Sequence, residues 1–111
     1  MGRMPRLVRP EDQSADVDAA ISAFGNRARS TIVRYLASRG EVGALRADIA
    51  EATQMAIPTL SKHLRALEEL GVIQGNIEQD HRRGRSVAYR ADQERIRELF
   101  AVHQAYMLNS Q

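Results

Sequence analysis

Residues 45–70, LRADIAEATQMAIPTLSKHLRALEEL, constrain the fold of this chain more than any other stretch. Leu60, Leu64 and Leu67 follow the i, i+4, i+7 spacing of one buried stripe on a helix over 57–70. The opposite side of this helix carries Pro58, Lys62 and Arg65, flanked by Thr59 and Ser61. The stretch therefore predicts a helix-turn-helix whose second helix is packed on one face and exposed on the other.

The remaining helices are predicted from N-cap residues and apolar spacing. Ser14 and Asn26 are residue types that begin helices, and each of the two expected helices ends at a glycine. A short helix over 47–53 opens the helix-turn-helix, and Asp92 caps a final helix of about 15 residues. With the helix over 57–70, the sequence predicts five helices.

An arginine-rich hairpin follows the helix-turn-helix. Apolar residues alternate along 72–79 and 85–90, as they would on the covered face of two antiparallel strands. Gly84 supplies the conformational freedom for the turn between them. The tip carries three arginines, Arg82, Arg83 and Arg85. The fold class predicted is mostly α with a small β-hairpin, the winged helix-turn-helix.

This arrangement is suited to reading DNA. The major groove of B-DNA is about 12 Å wide and accepts one helix, which must be held from behind by apolar packing. The N-terminus of such a helix also presents free N–H groups to phosphate, and arginines on a hairpin tip reach phosphates or the minor groove. The predicted recognition-helix contacts are Ile57, Pro58, Thr59, Ser61, Lys62 and Arg65. The predicted wing contacts are Arg82, Arg83 and Arg85.

Three segments resemble the ArsR family of winged helix-turn-helix repressors. They are FGNRARSTIVRYLASRG, PTLSKHLRALEELGVI and GRSVAYR, and the resemblance covers about residues 20–107. It implies a dimeric DNA-binding regulator in which the first and last helices form the dimer contact. It also implies a groove-facing role for Ile57, Pro58, Ser61 and Lys62.

The wing departs from the ArsR pattern. The segment from Gly71 to Tyr89 is longer than the usual wing of that family. The sequence DHRRGR within it is similar to the wing tip of the MarR family, where an acidic residue orients an arginine for the minor groove. The chain is too short for the usual MarR dimerisation helices, so the ArsR resemblance is preferred.

The apolar stripe of the last helix is too large to leave in water. Together with apolar residues of the first helix, it predicts an isologous interface and a symmetric homodimer. The predicted interface residues are Ile21, Phe24, Ile96, Leu99, Phe100, His103 and Met107. Residues 1–13 contain two prolines and scattered charge, which predicts a flexible N-terminal arm. Residues 14–111 are expected to form one DNA-binding and dimerisation domain.

Composition argues against other classes of function. The chain has no cysteine, which removes disulfides, thiol catalysis and thiolate metal sites. No apolar run approaches the roughly 18–20 residues that span a bilayer, so a cytoplasmic protein without a membrane partner is expected. No catalytic arrangement and no glycine-rich phosphate loop can be argued, so neither an enzyme nor a cofactor is predicted. Asp92, Glu94 and His103 only loosely resemble the metal ligands of ArsR relatives, and no metal site is predicted.

The function predicted is that of a sequence-specific, double-stranded DNA-binding transcriptional regulator, a dimeric repressor that acts by promoter occlusion. The expected partners are double-stranded DNA and a second copy of the chain. Three alternatives stay open at this point. The chain could be an architectural or excision-type DNA-binding factor, a sensor of an unidentified small-molecule effector, or a winged-helix module that binds another protein.

Overall fold

The computed structural model describes residues 14–108. Within that range the elements are α1 (Ala15–Phe24), α2 (Arg27–Arg39), β1 (Ala44–Leu45), α3 (Arg46–Thr53), α4 (Ile57–Leu70), β2 (Ile73–Gly75), β3 (Ala88–Ala91) and α5 (Gln93–Met107). The predicted fold class, a mostly α winged helix-turn-helix with five helices and a small β-hairpin, is confirmed, and a third strand, β1, joins the two hairpin strands. The predicted N-terminal arm lies outside the described residues.

Side-chain caps begin three of the helices. Ser14, Asn26 and Asp92 each accept a hydrogen bond from the backbone N–H three residues later, at 3.2, 3.0 and 3.0 Å. Each bond satisfies a donor that has no partner inside its helix. The predicted starts of α1, α2 and α5 are therefore confirmed, with the physical reason that was expected for them.

The leucine stripe of α4 lies in the centre of the core. Leu60, Leu64 and Leu67 are at most 1% exposed, as the spacing predicted. Burying a leucine contributes about 1.5–3 kcal/mol, so this face fixes α4 firmly to the rest of the chain. The same cluster contains large side chains from α2, α3, β2 and α5, among them Ile32, Leu36, Ile49, Ile73 and Leu99.

The sheet has three short antiparallel strands in the order β1-β3-β2. Its strands are shorter than the predicted 72–79 and 85–90. The ladder ends because Asn76 accepts the Ala88 N–H with its side-chain oxygen at 3.0 Å, and the chain then turns away. Residues 76–87, here called the wing, include one turn of 3₁₀ helix, Gln79–His81.

Gly43 fixes the approach of β1 to β3. Its φ is +68°, and a Cβ at this position would overlap the backbone carbonyl oxygen of Tyr89. The positive φ and the overlap both disfavour a side chain at this position. The left-handed conformation alone costs an L-residue about 1–2 kcal/mol, and the overlap with the carbonyl oxygen adds to that cost.

We therefore expect Gly43→Ala to lower the free energy of unfolding by about 3 kcal/mol or more, measured by urea denaturation. Gly84→Ala is the matched control. Gly84 has a similar φ of +72°, but among the described residues no neighbouring group would come within 4 Å of an added Cβ, so only the conformational cost applies. If the two variants lost the same free energy of unfolding, the close approach of β1 to β3 would make no contribution to the cost of the Gly43 substitution.

Candidate nucleic-acid interface

One face of α4 is exposed and polar. Pro58, Thr59, Lys62 and Arg65 are exposed, on the side opposite the three buried leucines, and Ser61 is half-buried beside them. The structure thus places the predicted recognition residues on one surface. That surface is convex and carries short donors with one lysine, which suits insertion into a major groove.

The N-terminus of α4 adds backbone donors to this surface. Its N-cap residue, Ala56, makes no side-chain hydrogen bond to the first turn, and a proline lies at the start of the helix. The other first-turn N–H groups therefore have no side-chain cap, and the positive end of the helix faces outward. Phosphate is the ligand that such an end attracts.

A cleft of about 650 Å³ separates the start of α4 from the wing. Ile57 lies on one wall, Arg85 on another, and Arg46 at the start of α3 lines it as well. The cleft therefore combines apolar surface from α4 with guanidinium groups from two other elements. This combination can hold a sugar-phosphate backbone beside a helix that contacts bases.

Arg46 is a candidate contact that the sequence did not reveal. Its Nη1 donates a hydrogen bond to the Ser61 hydroxyl at 3.1 Å, which links the exposed start of α3 to the face of α4. The two residues are 15 positions apart, so no spacing within a single helix indicates the contact. Only the packing of the helix-turn-helix brings them together.

The three wing arginines differ in their surroundings. Arg83 and Arg85 are exposed, and their side chains have no hydrogen-bond or ion-pair partner within residues 14–108. Arg82 lines the cleft as well, but its guanidinium is engaged, because it donates to the two carboxylate oxygens of Glu68 at 2.9 and 2.6 Å. The hydrogen bond to Glu68 also raises the pKa of Arg82. The expected phosphate contact thus remains open to Arg83 and Arg85, whereas Arg82 is already occupied.

His63 supports α4 from behind. Arg29 on α2 donates a hydrogen bond from Nε to His63 Nδ1 at 3.2 Å, and its Nη1 donates to the Ser22 hydroxyl at 2.7 Å. Burial, and then the positive charge of Arg29, lower the pKa of His63 below its ordinary value. A neutral His63 is therefore the acceptor that joins α2 to α4.

This pair predicts a loss of stability in acid. Because the pKa of His63 is lower in the folded chain, the unfolded chain binds the proton first as the pH falls through about 6.5, the ordinary value. The free energy of unfolding should therefore decrease below that pH. His63→Gln keeps an acceptor for Arg29 but cannot titrate, so its urea-unfolding free energy should fall less over the same range. Parallel pH profiles for the two proteins would contradict this role.

The predicted dimer surface is partly exposed and partly core. Ile21, Phe100 and Met107 are 39%, 53% and 63% exposed, and the Phe24 ring lies 4.5 Å from that of Phe100, centroid to centroid. Ile96 and Leu99 need a correction, because they are 7% and 0% exposed within the single chain. They pack against the chain's own core and have almost no surface to offer a partner.

His103 lies half-buried on α5, and its Nδ1 has no hydrogen-bond partner among the described residues.

Between residues 14 and 108 no three His, Asp or Glu side chains come close enough together to hold a metal ion. In the same range, every helix is too short or too polar to cross a membrane.

Comparison with known proteins agrees with this geometry. A family model described as a helix-turn-helix domain matches residues 24–75, which include α2, α3 and α4. No curated protein sequence matches the chain.

Several solved structures share the fold. A possible transcriptional regulatory protein from Mycobacterium bovis, studied as a fragment, is 30% identical with a TM-score of 0.61; the match covers 86% of this chain and 97% of the other. The same fragment solved by NMR in solution, described as the homodimeric winged helix-turn-helix DNA-binding domain of a possible ArsR-family regulator, is 27% identical at a TM-score of 0.61, over 92% and 90% of the two chains. MepR of S. aureus, solved in complex with DNA, shares the fold at 23% identity and a TM-score of 0.58, over 86% and 77%.

The fold and the exposed face of α4 define a winged helix-turn-helix DNA-binding protein. The chain belongs to the ArsR family of transcriptional regulators, as its sequence resemblance predicted. That family consists of regulators and not of enzymes.

Proposed function

We propose that the chain is a dimeric, sequence-specific repressor that binds double-stranded DNA through α4 and the wing. One observation carries the proposal: the exposed face of α4 lies beside a cleft lined by Arg46 and Arg85. A helix in the major groove and arginines on the adjacent backbone would then act on one stretch of duplex. Occupying a promoter in this way blocks polymerase without any further activity.

The proposed DNA contacts divide by chemistry. Thr59, Ser61 and Lys62 are hydrogen-bonding groups for base edges, and Ile57 and Pro58 are apolar groups for a thymine methyl. A second set is cationic and suits phosphates, which position the protein without reading sequence. This phosphate set consists of Arg46, Arg65, Arg83 and Arg85.

Dimerisation is proposed through the exposed apolar surface of α1 and α5. Phe24 and Phe100 pack together there, and Met107 continues the same stripe of α5 at helical spacing. Apolar side chains exposed in a row favour a two-fold interface, and the M. bovis domain that shares this fold is homodimeric. Two α4 helices would meet successive major grooves about 34 Å apart.

Selection of bound duplexes from a random pool tests this function. The wild-type protein should enrich a near-palindrome whose half-sites are centred about 10 base pairs apart. Lys62→Ala should enrich it poorly under the same conditions. Binding without sequence enrichment, accompanied by bending, would indicate an architectural factor instead, and failure to retain any duplex would indicate a protein-binding module.

A second cavity favours regulation by a small molecule. It measures about 420 Å³, lies between α2 and α5, and has apolar walls that include Val33, Ile96 and Phe100. Because Phe100 also belongs to the proposed dimer surface, an apolar effector there would alter the dimer and hence the spacing of the two α4 helices. A compound that raises the melting temperature and changes operator affinity would identify this function, whereas a panel that does neither leaves a constitutive repressor.

A further inference from the structure

Glu68 and Arg82 join the recognition helix directly to the wing. Glu68 lies in the last turn of α4, and Arg82 follows the 3₁₀ turn 14 positions later. Both terminal nitrogens of the guanidinium donate to the carboxylate, and the two side chains are only 18% and 13% exposed, Arg82 and Glu68 respectively. A two-pronged, shielded pair fixes orientation far better than a single contact between solvent-exposed charges.

Further hydrogen bonds fasten the wing backbone to the same pair. The Nε of Arg82 donates to the Ile77 carbonyl at 2.8 Å, and the side-chain amide Nε2 of Gln79 donates to Oε1 of Glu68 at 3.1 Å. Gln79, the first residue of the wing's 3₁₀ turn, and Arg82, the residue directly after it, are thus both bound to one carboxylate at the end of α4. The path of the wing depends on where this carboxylate lies.

The sheet provides a slot for the pair. Gly75 on β2 lies beneath it, and a Cβ at that position would overlap the Arg82 guanidinium and come within 3.1 Å of the Glu68 carboxylate. The guanidinium carbon also lies 5.8 Å from the centre of the ring of Tyr89, which pairs with Gly75 across the two strands. The absence of a side chain at Gly75 therefore allows the ion pair to pack against the strands.

We propose that Glu68 and Arg82 are positioning residues that set the angle of the wing relative to α4. They hold Arg83 and Arg85 where the phosphates beside an occupied major groove would lie. This inference rests on the proposed DNA-binding function. It gives Arg82 a different role from the direct contact that the sequence suggested, because the Arg82 guanidinium is engaged by Glu68 and Ile77.

Replacing Glu68 distinguishes a direct phosphate contact by Arg82 from a positioning role, because the two roles predict different changes in affinity for DNA. Glu68→Gln deletes a negative charge, which by electrostatics alone strengthens binding to DNA. If Arg82 contacted phosphate directly, the variant would also free its guanidinium, and affinity would be unchanged or higher. As a positioning pair, Glu68→Gln and Arg82→Ala should each weaken binding to the selected duplex at least about fivefold, and the double variant should be no weaker than either alone. Glu69→Gln, the exposed neighbour, is the matched control and should not weaken binding.

The exchanged pair, Glu68→Arg with Arg82→Glu, provides the rescue. It restores opposite charges at the same two positions and should recover more of the affinity than Glu68→Arg alone. Gly75→Ala displaces the guanidinium without removing either charge. It should also weaken binding to the selected duplex, as Arg82→Ala does. Additive losses in the double variant, or tighter binding by Glu68→Gln, would overturn the proposal.

Hydrogen exchange in the free protein separates this inference from the function on which it rests. Amides of residues 76–87 should exchange faster in Glu68→Gln and Arg82→Ala than in wild type, while amides of α4 facing the leucine core stay protected. Unchanged exchange across the wing would contradict the positioning role even if DNA binds. Failure of the wild-type protein to bind any duplex would contradict the proposed function and leave the exchange result standing.

Discussion

Phe100→Asp is expected to convert the dimer into monomers and to weaken binding to a two-half-site operator by more than about 100-fold. Phe100 is 53% exposed, and its ring packs on that of Phe24 at the proposed dimer surface. In a two-fold interface the new carboxylate appears twice, and burying each of the two charged groups against apolar side chains is strongly unfavourable. In the dimer, binding of one α4 to its half-site holds the second α4 close to the other half-site, which raises its effective concentration there. A monomer has no such advantage.

The measurement combines sedimentation of the free protein with titrations on a full operator and on a single half-site. The variant should bind the half-site about as well as wild type, because α4 and the wing are unchanged. Val42→Asp is the control, since Val42 is 75% exposed, lies in the turn before β1 and belongs to neither α1 nor α5. A Phe100→Asp protein that stays dimeric, or a Val42→Asp protein that becomes monomeric, would contradict the assignment of this surface.

Substitutions in α4 and substitutions in the wing are expected to weaken DNA binding in different ways. Lys62→Ala should weaken binding to the selected duplex by about 10–100-fold while leaving binding to unrelated duplexes nearly unchanged, because each lost base contact costs about 1–3 kcal/mol. Arg83→Ala with Arg85→Ala should weaken binding to every duplex. It should also reduce the slope of log affinity against log salt by about two per subunit, because each phosphate contact contributes about one.

Arg34→Ala serves as the control for both variants. Arg34 is an exposed arginine in the middle of α2; it lines the apolar cavity between α2 and α5 and belongs to neither α4 nor the wing. Its removal should change neither sequence preference nor the salt slope beyond the small effect of one distant charge. If Lys62→Ala instead weakened all duplexes equally, Lys62 would be a phosphate contact and the reading of sequence would lie elsewhere.

The helices were predictable from the sequence because their signals are local. The bounds of α4 agree with the prediction at both ends, Ile57 and Leu70, since leucine spacing, a first-turn proline and a terminal glycine all act within a few residues. The caps of α1, α2 and α5 are equally local. The strands were predicted too long because a side chain, that of Asn76, competes for a backbone partner that alternation alone assigns to the ladder.

The misjudged site residues depend on contacts across the fold. The apolar stripe of α5 was predicted as one interface, but Ile96 and Leu99 pack inward while Phe100 and Met107 stay exposed. Hydrophobic periodicity shows that one face of a helix is apolar, but it does not show whether the chain's own core or a second copy covers that face. The same limit applies to Arg82, whose acidic partner Glu68 lies on a different element.

Site-directed photo-crosslinking tests the central claim most directly, because the chain has no cysteine of its own. A crosslinker attached through Thr59→Cys would sit on the exposed face of α4, and one attached through Ser38→Cys would sit at the far end of α2. Bound to the selected duplex, the Thr59 probe should react with bases in both half-sites, and the Ser38 probe should react with none. Crosslinks from Ser38 and none from Thr59 would show that another surface meets the DNA and that α4 does not enter the groove.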